Sequence, residues 1–246
     1  MKEWRNDFKD SADLTKQDVF VIGSTLESLS PRVQEYSDLL SAAEAERADR
    51  FKFQIHRDRF IASHGLVREV LGFLLRVPAH DLEFSEGEFG KPFLSGDFAG
   101  SEIQFNLSRS ENRIVLAVAR ARKVGVDVEF VRPNLADSGV AQTHFSIREF
   151  EDLNRLTGRD WEIGFFNCWT RNEAFIKATG EGLNRPLGSI DVTLRPGQPA
   201  ELTSVDSDPE ETKRWKLVDL PFENGCAGAL VAEGRDWNLT CWNYPS

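Results

Sequence analysis

Hydrophobic and polar positions alternate most cleanly between residues 124 and 130. There Val124, Val126, Val128 and Phe130 are interleaved with Gly125, Asp127 and Glu129. A period of two predicts a strand with the valines on one face and the two carboxylates side by side on the other. Taken alone, it reads as an antiparallel strand with one wet face. Shorter runs of the same kind predict strands at 19–22, 82–84, 103–107, 114–118, 190–194, 215–220, 227–232 and 237–242, divided by Gly-, Pro- and Asn-bearing turns. Helical spacing marks two longer segments. From Phe60 to Leu75, Ile61, Leu66, Val70 and Phe73–Leu74 share a face, and Pro78 lies beyond the end. From 165 to 179, Phe165, Trp169 and Ile176 form a stripe, and Gly180 stops the helix. Further helices are expected from Leu39 to Phe51, from Ser30-Pro31 onward, and from Phe145 to Leu156 behind a Ser146/Glu149 capping box. Residues 1–16 are expected to be loose, and Thr203 to Lys213 to form a loop.

A helix followed by three antiparallel strands thus occurs twice, near 60–119 and near 165–242, with negligible identity between the stretches. The order predicts an α+β fold of two pseudo-twofold related lobes, 1–120 and 121–246. Each would be a helix packed on a small antiparallel sheet, with the active site in the cleft between them.

Composition narrows the class. With 246 residues, 40% of them hydrophobic, and 18 Phe and 6 Trp, the chain can fill a real core, so disorder is not the default. A net charge of −10 argues against a nucleic-acid partner, which would need a basic face. Cys168, Cys226 and Cys241 are odd in number and lack metal-ligand spacing, as expected for reduced thiols in a cytoplasmic protein. The opening Met1-Lys-Glu-Trp-Arg lacks an apolar signal core, and no apolar run approaches membrane-spanning length. A cytoplasmic monomer without a membrane partner is the expectation.

The candidate chemistry sits on the two stretches that open the pattern. Glu173 falls between Trp169 and Phe166, so its carboxylate lies against the apolar side of its helix and needs a cation, a donor or a metal. Lys177 follows at i+4, a spacing that also suits a helix-surface ion pair of roughly 0.3–0.5 kcal/mol. Two strand carboxylates and one helix carboxylate could together hold a hard ion such as Mg2+. Arg47, Arg50, Lys52, Arg57 and Arg59 crowd one short segment of an acidic chain. That run is either a solvated helix face or a patch for one polyanionic small ligand.

These residues resemble a family. Gly125-Val-Asp-Val-Glu129 and Trp169-Thr-Arg-Asn-Glu-Ala-Phe-Ile-Lys177, with its glycine-rich end, are similar to the signature of 4'-phosphopantetheinyl transferases of the surfactin-synthetase-activating type. Gly90-Lys91-Pro92 and Phe105-Asn-Leu-Ser-Arg-Ser110 resemble two upstream elements of that family, and the four occur in its order over about residues 40–190. The resemblance implies Mg2+-dependent transfer of 4'-phosphopantetheine from coenzyme A to a serine of an apo acyl carrier protein or peptidyl carrier domain, releasing 3',5'-ADP. It implies Asp127, Glu129 and Glu173 as metal ligands, Glu173 as acceptor of the serine proton, and Lys177 as a neutraliser of phosphate charge. Arg47, Arg59, Lys91, Ser108 and Arg109 would bind coenzyme A. Three positions depart from the pattern: Arg109 stands for a histidine, Asn172 for a lysine, and Glu44 for a phosphate-binding lysine. They leave open a catalytically impaired coenzyme A- or carrier-binding homologue. A Mg2+-dependent phosphodiesterase is a further alternative, disfavoured by the acidic charge. A carrier would dock on an apolar patch between Arg132 and Leu156 that includes Phe145 and Phe150.

Overall fold

The computed structural model describes residues 3–11, 13–132, 136–206, 208–222 and 225–244. In chain order the first half runs β1 (Trp4–Arg5), α1 (Phe8–Ser11), β2 (Asp18–Thr25), α2 (Leu26–Leu29), α3 (Val33–Leu39), α4 (Ala42–Asp49), α5 (Gln54–Leu75), β3 (Phe84–Glu86), β4 (Pro92–Leu94), β5 (Ile103–Ser110) and β6 (Arg113–Arg120). The second runs β7 (Val124–Phe130), α6 (Ser138–His144), α7 (Ile147–Leu153), α8 (Gly158–Thr179), β8 (Ile190–Val192), β9 (Leu202–Val205), α9 (Pro209–Lys213), β10 (Trp215–Asp219), β11 (Cys226–Glu233) and β12 (Asn238–Asn243).

The repeat expected from element order is real and more detailed than the sequence implied. In the first half the strand before the long helix, β2, pairs antiparallel with the last strand, β6, which pairs with β5. In the second, β7 pairs with β11 and β11 with β10 in the same sense. Each long helix has 22 residues and is followed by a separate two-stranded hairpin, β3–β4 or β8–β9. The fold is α+β with two pseudo-twofold lobes.

Alternation within the strands distributes three cores. Phe20, Ile22, Leu116 and Val118 face α5, while Phe165, Phe175, Ala229 and Val231 pack together around α8. The opposite strand faces, including Val19, Val21, Ala117, Val124, Val126, Val128 and Leu230, meet in a third core between the lobes. The expected wet face on the carboxylate strand is therefore absent. From Val124 to Val128 every residue of β7 is buried, because α8 covers the side that carries Gly125 and Asp127.

Other expectations need correction. Strand β12 does not join the second lobe's sheet. It lies parallel to β2 in the first, where Trp242 meets Phe8 and Phe20 edge-on, so the boundary at 120/121 does not separate two closed units. Alternation predicts a strand but not which sheet receives it. The N-terminal segment is not loose, because Phe8 is fully buried against Trp242, Phe73 and Tyr244. The 203–213 segment contains β9 and α9, the latter started by Asp208 accepting from Glu210 N and by a proline in its first turn. Both long helices begin earlier than their apolar stripes. Their first turns carry a Gln54–Asp58 hydrogen bond in one and an Arg159–Glu162 pair in the other, and Trp161 stacks on Phe165 to extend the second stripe. Of the connector Arg132-Pro133-Asn134, the last two residues lie outside the described residues.

Candidate active site

The lobes meet along β5 and β7, and side chains make the joint. Asn106, Ser108 and Ser110 alternate along β5 and accept from the backbone N–H groups of Val126 (2.8 Å), Val128 (3.4 Å) and Phe130 (3.4 Å). Two of them also turn to the acids opposite. Ser108 Oγ donates to Asp127 Oδ1 at 2.8 Å, and Ser110 Oγ donates to Glu129 Oε2 at 2.6 Å. Helix α8 presses on β7 from the other side. A Cβ at Gly125 would lie 2.2 Å from Ala174 O and Ala178 N, so only glycine admits the helix.

That approach brings the helix's charged side chains to the strand's carboxylates. Lys177 Nζ donates to Asp127 Oδ1 at 2.6 Å and to Ser108 Oγ at 3.2 Å, so it serves the strand acid in place of an i,i+4 pair with Glu173. Burial raises the proton affinity of Glu173, and the negative charges of Asp127 and Glu129 raise it further against the opposing pull of Lys177. Burial and Asp127 likewise raise Glu129, opposed by the Ser110 hydroxyl.

The donor set suits a hard cation. Asp127 is 3% exposed, yet its Oδ2 is buried without a partner among the described residues. The raised proton affinities of Glu129 and Glu173 would be relieved by positive charge. The described residues contain no group of three or more His, Cys, Asp or Glu closed around a point, so there is no all-protein cage. Mg2+ seldom uses one: it takes one or two carboxylates, substrate phosphates and waters. Asp127, with its unpartnered Oδ2, and one neighbouring carboxylate would meet that need.

Across the seam lie two cavities whose linings mix arginines with glutamates. Arg47 and His64 line a cavity of about 390 Å3 with Ser85, Glu86 and Pro92 of the β3–β4 hairpin. Arg59 and Arg109 line a second, of about 250 Å3, and Phe60 borders both. Arg109 Nη1 donates to Ser63 Oγ at 2.9 Å, which draws it toward α5 although the residue keeps contact with solvent. Burial first, then the charges of Arg47 and Arg59, lower its proton affinity. Arg47 also lies 3.7 Å from Glu86 in an exposed ion pair. Lys91 is not in either cavity lining; its ammonium is tied to three backbone carbonyls.

Two of the departures have structural explanations. Glu44 forms a capping box with Ser41 and an ion pair with buried Arg68 at 2.7 Å. Asn172 is fully buried and donates to Glu149 Oε1 at 3.0 Å, inside the second lobe. Sequence reasoning missed Ser63, His64, Asn106 and Ser110. The period-two spacing of Asn106, Ser108 and Ser110 was the available signal for the last two, and the i+4 spacing of Ser63 from Arg59 for the first. His64, stacked 3.8 Å from Phe60, had none.

The comparisons with known proteins place the chain in a family. A family model described as 4'-phosphopantetheinyl transferase superfamily matches residues 123–237, and one described as 4'-phosphopantetheinyl transferase, N-terminal, matches residues 28–121. The 4'-phosphopantetheinyl transferase HetI of Nostoc sp. is 35% identical over 219 residues, 89% of each chain. A 4'-phosphopantetheinyl transferase of Bacillus pumilus is 30% identical over 87% of this chain and 90% of its own. A solved holo-(acyl-carrier-protein) synthase from Bacillus anthracis, in complex with CoA (3',5'-ADP), aligns over 46% of this chain and 96% of its own. At 18% identity and a TM-score of 0.38, that likeness is too loose to place any residue.

Proposed function

The chain belongs to the 4'-phosphopantetheinyl transferases, and from that premise we propose that it moves 4'-phosphopantetheine from coenzyme A to a serine of an apo acyl or peptidyl carrier protein, with Mg2+ at the diphosphate. The observation that carries the reading is the seam: buried Asp127 with a free oxygen, Glu129 and Glu173 beside it, and the arginine-lined cavities next along β5. The serine oxygen attacks the β-phosphorus of coenzyme A. The bond from that phosphorus to the oxygen bridging it to the α-phosphate breaks, its electron pair leaves with 3',5'-ADP, and the serine proton goes to Glu173. A base whose proton affinity is raised by burial suits that transfer. Lys177, now on Asp127, would turn to a phosphate oxygen. Arg47, Arg59 and Arg109 would hold the nucleotide's phosphates, for which a guanidinium fork is suited. Mg2+, held by Asp127, Glu129 and Glu173, would draw charge from the diphosphate.

An impaired binding homologue is less well supported. Asn172 faces Glu149 and not the carboxylate cluster, so it removes no charge from the reacting centre. For the carrier, Phe145 is buried in the second lobe's core and cannot lead the docking. Ile147 on α7 is 83% exposed beside it and gives the proposed patch its apolar contact. Incubation with coenzyme A, Mg2+ and an apo carrier, followed by intact mass measurement of the carrier, tests the reading. A phosphopantetheine-sized gain is expected; coenzyme A binding without that gain would overturn it.

A further inference from the structure

Two turns far apart in sequence, Gly90-Lys91-Pro92 and Gly180-Glu181-Gly182, form one joint. Lys91 Nζ donates to Lys177 O at 2.7 Å, Val124 O at 2.9 Å and Ala178 O at 3.3 Å, one acceptor for each ammonium proton. Two of these carbonyls belong to the last turn of α8, where an α-helix leaves its acceptors without intrahelical partners and its dipole favours a cation. The third opens β7. Among the described residues no carboxylate is recorded as a hydrogen-bond or ion-pair partner of Lys91, so this is a carbonyl nest. The helix end is shaped to receive it. Gly180, left-handed at φ 79°, would place a Cβ 3.5 Å from Lys91 Cδ, and Gly182, at φ 57°, would place one 3.1 Å from Phe89 Cβ. The hairpin turn is itself closed by Gly87 N donating to Lys91 O at 2.9 Å.

We propose that Lys91 is a positioning residue that clasps the β3–β4 hairpin of the first lobe to the C-terminal end of α8, rather than a group that holds the nucleotide with its own charge. The hairpin supplies Ser85, Glu86 and Pro92 to the larger cavity, and α8 carries Glu173 and Lys177. The clasp therefore fixes the spacing between the cavity and the carboxylates. Its geometry is independent of the proposed reaction; only its consequence for coenzyme A rests on that reading.

Hydrogen–deuterium exchange of the ligand-free protein tests the clasp without any assay of activity. Lys91→Met keeps the chain length and removes the ammonium. Amides in both 84–94 and 176–182 should exchange about tenfold faster, with β10 and β11 unaffected, because a local opening is released in both lobes at once. With an apo carrier, KM for coenzyme A should rise about tenfold and kcat should change less than about threefold. Lys91→Arg, a cation of the wrong shape for three converging carbonyls, should fall between. Weaker coenzyme A binding with unchanged exchange would mean that Lys91 touches the nucleotide directly, and would overturn the clasp. So would faster exchange in one segment alone. Should Lys91→Met not fold, Gly182→Ala attacks the joint from the helix side, and unchanged exchange in 84–94 would overturn the proposal equally.

Discussion

The two lobes share a polar joint and charge it differently. Arg68 on α5 and Asn172 on α8 occupy the same place, fourteen residues beyond the first residue of each long helix. Each meets a capping-box glutamate from the preceding short helix, Glu44 or Glu149. In the first lobe Glu44 accepts from Ser41 N and from Arg68, whose Nη1 continues to Leu82 O at 2.9 Å, just before the β3–β4 hairpin. In the second Glu149 accepts from Ser146 N, Asn172 Nδ2 and Val192 N in the β8–β9 hairpin. Helix, cap and hairpin are thus tied at one point twice. The first tie is an ion pair; the second holds a 1% exposed acid with neutral donors, and burial pushes Glu149 up to about 7. The strands diverge too. β7 carries Asp127 and Glu129, where its counterpart β2 has only apolar and small residues beyond Asp18. A repeat invisible in identity thus survives in its polar joints, while the proposed chemistry divides: carboxylates from one lobe, arginines from the other.

That division makes opposite demands on mutants. Glu173→Gln should lower kcat by about 10²–10⁴-fold, the usual contribution of a positioned base, with the melting temperature unchanged. Because burial and two neighbouring acids raise Glu173, wild-type activity should climb with pH above the ordinary carboxylate value of roughly 4.3, as the base ionises. Near-normal turnover of the variant would remove Glu173 from the mechanism. In the first lobe, Arg68→Met should cost about 3–5 kcal/mol of stability, because it leaves Glu44 without its cation and two carbonyls without donors. Urea titration measures it, and a loss below about 1 kcal/mol would mean the joint is not the tie described. Smaller again is Arg109→Ala, expected to weaken coenzyme A binding by about 1.5–3 kcal/mol while leaving kcat nearly intact. Calorimetric titration at two salt concentrations would check it.

Sequence reasoning reached the carboxylates and the repeat for a definable reason. Alternation at Val124–Phe130 and the stripe at Phe165–Ile176 are local patterns that register directly as strand and helix. The partners of those residues are not local. Nothing near Lys91 announces the carbonyls of Val124, Lys177 and Ala178 as its acceptors. Likewise the alternation of Trp237–Trp242 could not reveal that β12 would cross to the first lobe's sheet. Ser108 illustrates the same limit at the site. The family resemblance made it a coenzyme A contact, whereas its hydroxyl is engaged with Asp127 across the seam.

The smallest effect expected is the most direct test of the lobe comparison. Asn172→Lys would give Glu149 a cation, as Arg68 gives one to Glu44. In the wild type Glu149 binds its proton more tightly folded than unfolded. Its favourable contribution is therefore complete below the ordinary carboxylate value of roughly 4.3 and is lost as pH rises through about 7. A lysine beside it reverses the preference, because the ionised acid then gains a partner. The variant should gain on the wild type by about 1 kcal/mol between pH 5 and pH 7.5, roughly the equivalent of one unit of proton affinity. Whatever the larger side chain costs in packing is common to both pH values and cancels from that difference. Urea denaturation of both proteins at pH 5, 6, 7 and 7.5 supplies the measurement. An offset between them that does not change with pH would mean that Glu149 is not the group that distinguishes the two joints.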